Sequence, residues 1–191
     1  MNLGAVSSSV VKLLQKRFLE QGGLGGYTFK VFSTSEVVAG IQNHVGLTLY
    51  RIDIDPARRH IHLPPAEIGL PSRHLLGLDL HYLLTVWGSA SAEGEQEMLG
   101  RCMEILDHHA ILSGDDLDHT APYEWEESDA LKLCLESLTH EDMLRLWDSM
   151  EGSYQLSVPY LVRTVRLSPV ERTEGPPVLS RTHVYVPGVP S

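Results

Sequence analysis

Asp79 and His81 stand two residues apart in the run Leu78-Asp79-Leu80-His81-Tyr82-Leu83-Leu84-Thr85. On a strand that spacing puts both side chains on one face, and a carboxylate beside an imidazole is the minimum apparatus for acid-base chemistry. A hydrolase also needs a nucleophile. Gly88-Ser89-Ala90-Ser91-Ala92 lacks the glycine that completes a nucleophile elbow, and neither Cys102 nor Cys134 has a recognisable basic partner. The pair therefore reads first as a half-buried couple, bonded to each other or to a neighbouring loop. A small hydrolase or metal-dependent enzyme using Asp79 and His81 is the alternative.

The other candidate groups fit no site pattern. His60 and His62 share one side of an extended segment and His108-His109 offers a third ligand from a helix end, yet the sequence has no His-Glu-x-x-His and no Cys-x-x-Cys. The expectation is no metal and no cofactor. Gly22-Gly23-Leu24-Gly25-Gly26 lacks the Gly-Lys-Ser/Thr ending of a phosphate loop. Glu124, Glu126, Glu127 and Asp129 lack the glycine and closing glutamate of a calcium loop and read as solvated acids. Trp87 and Trp147 lie in apolar patterns and belong to a core, which leaves Trp125 as a surface contact. Cys102 and Cys134 read as buried thiols in a reducing compartment.

An α+β chain must position these residues. Val6, Val10, Val11, Leu13, Leu14 and Phe18 recur at helical spacing and predict a helix over 6–19, stopped by the glycine cluster. Strands are predicted over 27–32, 47–54, 78–87, 130–138 and 160–167. Strict alternation in the second sets Thr48, Tyr50, Ile52 and Ile54 on one face and Leu47, Leu49, Arg51 and Asp53 on the other. The strand at 78–87 is apolar on both faces, which predicts a central position, with helices on one side and a loop or another subunit on the other. The proline-bearing connection before it, from Asp55 to Leu78, reads as an extended arm or flexible loop. A second helix is predicted over 95–108, and a third follows the Thr139/Asp142 capping pattern and ends near Gly152. The fold class predicted is α+β, a mixed or antiparallel sheet backed by about three helices. It forms a single domain over 1–170, followed by a Pro/Gly-rich arm over 171–191.

Composition narrows the partners. The chain has 191 residues, 42% of them hydrophobic, and no run of about 18 apolar residues or basic-then-apolar leader, so a soluble, cytoplasmic chain without membrane contact is expected. A net charge of −10 repels phosphate backbones and argues against nucleic acid. Residues 93–151 hold 17 acids and 3 bases, and the remainder holds 8 acids and 12 bases. Such polarity suits oriented docking, with a solvated acidic face as the plainer reading and a monomeric acidic adaptor as a further alternative.

A series of blocks carries a resemblance. Leu49-Tyr50-Arg51-Ile52, Asp55-Pro56, Arg58-Arg59 and the Leu78–Thr85 run come first. Glu95–Met103, Leu144-Arg145-Leu146-Trp147 and Tyr154–Arg163 follow in the same order. Over residues 5–168 the chain resembles the amino-terminal domain of tube-terminating cap proteins from extracellular contractile injection systems, whose architecture is akin to phage tail terminators. The resemblance implies a structural subunit, not an enzyme. It implies a ring of six copies on the distal end of the inner tube, with the chain itself, the tube protein and the terminal sheath protein as partners. The same likeness implies assembly in the cytoplasm as part of a phage tail-like particle. Tyr50, Arg51, Arg58 and Arg59, beside the long connection, are the interface residues it suggests. Arginine suits such a place because its planar fork meets carboxylates.

Overall fold

The structure, a computed structural model, describes residues 3–23, 25–55, 61–63, 73–88, 91–120, 125–127 and 129–167. Helix α1 (Leu3–Glu20) opens the chain, and Gly22 and Gly23 end it in the left-handed region, at φ 118° and 107°. The strands are β1 (Thr28–Phe32), β2 (His44–Ile54), β3 (Ile61–Leu63), β4 (Arg73–Trp87), β5 (Ile111–Ser113), β6 (Ala130–Leu135) and β7 (Ser157–Leu167). Helix α2 (Ala92–His108) follows β4, and α3 (His140–Asp148) lies between β6 and β7. Thr139 caps α3 by accepting from the Asp142 amide at 3.1 Å, as the capping pattern predicts.

One sheet runs β1-β2-β4-β7-β6-β5, and β3 pairs with the start of β4. The β1/β2 pair is parallel and the other pairs are antiparallel, so the sheet is mixed. The expected central strand is central, but longer than its apolar run. Its first residues, Arg73–Leu75, pair with β3, so the connection after β2 contains a short hairpin rather than running unpaired to Leu78. Backbone pairing needs no apolar alternation, and three residues are too few to show a period. β5 was hidden for the same reason.

Two cores flank the sheet. On one face, Val6, Leu13, Leu14 and Phe18 of α1 and Leu99, Cys102 and Leu106 of α2 pack on Leu80, Tyr82, Leu84 and Val86 of β4. On the other, Phe32, Val37, Leu83, Trp87, Trp147 and Met150 form a smaller cluster. Part of β4's second face is therefore covered by α3 of the same chain. Gly46 makes this possible: a Cβ there would lie 2.4 Å from Trp87 Cζ3 and 2.8 Å from Phe32 Cδ2.

Asp118 ties the acidic connection to α1. Its carboxylate accepts from Ser8, Lys12 and the Thr120 amide, and its own amide donates to Ser9 Oγ at 2.7 Å. Burial opposes its ionisation, but the hydrogen bonds from Lys12, Ser8 and Thr120 outweigh that and hold the carboxyl well below the usual carboxylate range. Trp125 donates to the Asp118 carbonyl at 2.8 Å and packs against the main core, so it is a structural pin and not the expected surface contact. Asp129 is buried and accepts from the Glu126 amide at 2.9 Å, which removes it from the solvated acids. Cys102 is buried, its thiol pushed up to about 12 by desolvation, whereas Cys134 is half-buried rather than fully enclosed.

Two stability outcomes follow from this packing. Gly46→Ala drives a methyl into Trp87 and Phe32 and lowers unfolding free energy by about 1–3 kcal/mol, read from the urea midpoint. Asp118→Ala costs about 1–3 kcal/mol at pH 7. The wild-type contribution is full above the unfolded carboxyl value of about 4 and is lost as pH falls below it, so the variant's deficit shrinks in acid melts.

Candidate functional site

The open end of the second sheet face is shaped by two β-bulges. Leu49 stands opposite Tyr82, but Arg51 stands opposite His81, so Tyr50 is an extra residue on β2. Beyond it Arg51 and Asp53 face His81 and Asp79 across the ladder, while Ile52 and Ile54 pair with Leu80 and Leu78. The strict alternation expected for β2 fails here, because one inserted residue inverts every later side chain. On β7, Val165 pairs with Leu78 and Val162 with Leu80, which leaves two residues opposite Asp79. The first of them is Arg163. Both neighbours of β4 are thus bulged, β2 between the partners of Tyr82 and His81 and β7 opposite Asp79.

His81 is held between two carboxylates. Its Nδ1 lies 2.8 Å from Glu136 Oε1 and its Nε2 lies 3.1 Å from Asp53 Oδ2. A ring protonated on both nitrogens donates to both. Arg51 Nη2 is 3.2 Å from each ring nitrogen, an equal spacing that places the guanidinium over the ring face rather than along either N–H. Arg51 also meets Asp53 at 3.0 Å and Glu136 at 3.4 Å. Tyr50 Oη donates to Glu136 Oε2 at 2.8 Å, and burial followed by that hydrogen bond pushes the phenol well above its usual range. Glu136, just past β6, thereby reaches across β7 to bind groups on β4 and β2.

Asp79 is bonded less completely. Its Oδ1 is buried and accepts no hydrogen bond. Burial, followed by the charge of Asp55, pushes this carboxyl above the usual range, with only partial compensation from Arg163 and His81. It lines an open depression of about 790 Å³ together with Asp53, His81, Glu136 and Arg163, flanked by Ile52, Ile54, Leu135 and Leu161.

Of the suggested interface residues, Tyr50 and Arg51 lie in this cluster, and Arg58 and Arg59 fall outside the described residues. Asp79 and His81 share the face as expected, but His81 is bonded to Glu136 and Asp53 instead of to Asp79. With both imidazole nitrogens occupied, the pair has no free nitrogen to take a substrate proton. Among the described residues no three His, Cys, Asp or Glu side chains are arranged to hold a metal ion. The His108 and His109 rings stack edge to face at 4.9 Å, and His109 Nδ1 is bonded to the Ile105 carbonyl at 2.9 Å. Sequence reasoning missed Glu136, Asp53 and Arg163. An arginine among the apolar residues of β7 was the one local signal; Glu136 is brought in by strand order alone.

The model of a family described as the Pvc16 N-terminal domain matches residues 5–181. The chain belongs to that family. Its fold is shared with an extracellular contractile injection system protein, the PVC sheath/tube terminator in its extended state. That match has a TM-score of 0.59 at 14% identity, over 99% of this chain and 65% of the other. It is also shared with the anti-feeding prophage cap, a tube-terminating cap, with a TM-score of 0.53 at 16% identity over 97% of this chain and 62% of that one. The chain thus spans just under two thirds of the length of these proteins. No curated protein matches the sequence. Among the described residues no helix is long and apolar enough to cross a membrane.

The raised Asp79 carboxyl sets a pH dependence. Below the unfolded carboxyl value of about 4 it is protonated in both states; as pH rises from there through its raised folded value the unfolded chain ionises first, and the fold loses stability until the loss is complete. Asp79→Asn removes that loss. Its thermal midpoint therefore exceeds that of wild type at pH 7, and the gap closes as pH is lowered below about 4.

Proposed function

We propose that the chain is a structural subunit that caps the distal end of the inner tube of a contractile injection particle, contacts the terminal sheath layer and ends tube growth. The observation that carries this reading is the family match across residues 5–181, joined to a fold that covers 97–99% of the chain in two proteins described as a terminator and a cap. In this reading six copies close a ring. A ring needs a head-to-tail contact between two different patches on each subunit, and the split between an acid-rich segment and a base-rich remainder offers them. Residues 171–191, expected to form a Pro/Gly-rich arm, lie outside the described residues. The subunit assembles in the cytoplasm and leaves with the particle. Its partners are other copies, the tube protein and the terminal sheath protein, with Tyr50, Arg51, Arg58 and Arg59 at an interface. The work is mechanical and includes no catalytic step.

A strain lacking the chain tests this directly. Negative-stain images of its particles are expected to show tubes of variable and excessive length, restored to one length by the wild-type chain. Uniform, normally finished tubes in the deletion strain contradict the reading.

A further inference from the structure

β2 outlasts its outer neighbour. β1 pairs with it only as far as Phe32 opposite Thr48, and among the described residues no strand lies against β2 along residues 51–54. All four of these residues are exposed. The Asp55 amide donates to the Gly77 carbonyl at 3.0 Å, so Asp55, and by alternation Asp53 and Arg51, direct their backbone groups to β4. Ile52 and Ile54 therefore turn their N–H and C=O outward. Their side chains stand on the helix-bearing face at 45% and 46% exposure, with Leu76 of β4 on that same face at 38%. Charged side chains commonly guard such an edge, but Arg51 and Asp53 lie on the other face, where they bond to each other and to His81.

The sequence holds a run suited to this edge. Residues 178–186, Val-Leu-Ser-Arg-Thr-His-Val-Tyr-Val, lie between Pro177 and Pro187 with no proline or glycine inside, and they fall outside the described residues. Val178, Ser180, Thr182, Val184 and Val186 alternate with Leu179, Arg181, His183 and Tyr185, and valine, threonine and tyrosine are strand formers.

We infer that residues 178–186 of one copy of this chain add as a strand to the β2 edge, along residues 51–54, of a second copy.

The backbone of the added strand pairs with Ile52 and Ile54, and its valine and threonine face extends the apolar strip that these two begin. Topology favours exchange over a return to the same chain. β7 and β2 leave the sheet at one end, where Leu167 pairs with Leu76 and Ile54 with Leu78. At that end β3 pairs with Arg73–Leu75 of β4, and a chain returning from β7 to its own β2 edge has to round this hairpin. The connecting residues, 168–177, reach up to about 35 Å when extended, enough to arrive at an adjoining subunit. Giving an arm and receiving another uses two different patches on each copy, which is the head-to-tail contact that a ring requires. The inference rests on the capping reading for why copies stand side by side, and on the edge and the run for the contact itself.

The test uses the full chain in two forms. Val184→Pro breaks the run without touching the described fold, and its isotope-labelled form is titrated with a synthetic peptide of residues 177–187, or with the same peptide carrying Thr182→Pro. The native peptide is expected to shift the amides of residues 51–54 and to slow hydrogen exchange at Ile52 and Ile54 by roughly tenfold or more, and the proline peptide to do neither. Light scattering is expected to show wild type associating as concentration rises while Val184→Pro stays monomeric. Unchanged amides along 51–54, or equal response to both peptides, would overturn the inference. So would a wild type that stays monomeric with Ile52 and Ile54 already protected, since the run then pairs with its own chain. Tube length is scored separately. A Val184→Pro chain that still ends tubes, in a protein whose edge ignores the peptide, loses this inference alone; exchange between copies that never end tubes supports the inference and loses the capping reading.

Discussion

β4 is hydrogen-bonded on both sides while each of its neighbours carries one residue too many, and the open face of the sheet depends on that mismatch. The extra residue at Tyr50 turns Arg51 and Asp53 toward His81, and the extra residue on β7 sets Arg163 opposite Asp79. Were the register of Leu49 continued without the extra residue, Tyr50 and Ile52 would stand opposite His81 and Asp79, and Arg51 and Asp53 would turn to the other face. A charged face there coexists with a core on the opposite side because β4 keeps its alternation: Leu78, Leu80 and Tyr82 stay buried while Asp79 and His81 face the other way.

The same strand explains how one chain makes two different halves of one surface. Toward Trp87 the second face is closed by α3, with Trp147 donating to Ser157 at 3.1 Å and Gly46 admitting the indole of Trp87. Toward Asp79 the covering helix has ended, and side-chain ion pairs take over. Glu136 stitches β6 to β4 and β2 across β7 through His81, Tyr50 and Arg51. These groups satisfy one another within the subunit, so they hold the face in shape, and Asp79 is left as the group with an unmet acceptor.

Helices and the apolar half of β4 were legible in the sequence because each spans several periods. Val6 to Phe18 and Met98 to Leu106 repeat at helical spacing, and the Thr139 cap has a local chemical signature. β3 and β5 were not legible, being three residues each and held by backbone pairing alone. The bulge at Tyr50 has no composition mark, since it inserts an ordinary tyrosine where any register would accept one. Half of the charged cluster was legible, the half that sits on β4. Glu136 enters through the strand order β4-β7-β6, which no local window contains. Asp118 misled in the opposite way: it sits in an acidic, turn-rich stretch that reads as solvated, yet it is 2% exposed and pinned to α1.

Membership in the Pvc16 N-terminal domain family and a fold common to a sheath/tube terminator and a tube-terminating cap give this surface its setting. The central claim is that the chain sits at a tube's end with the β2–β4–β7 face against a protein neighbour. Electron cryomicroscopy of particle ends tests it most directly. The account predicts density for this α+β subunit on the terminal tube ring, with the β2–β4–β7 face covered by a protein neighbour. Subunit density elsewhere on the particle, or at the tube's end with that face open to solvent, would contradict it.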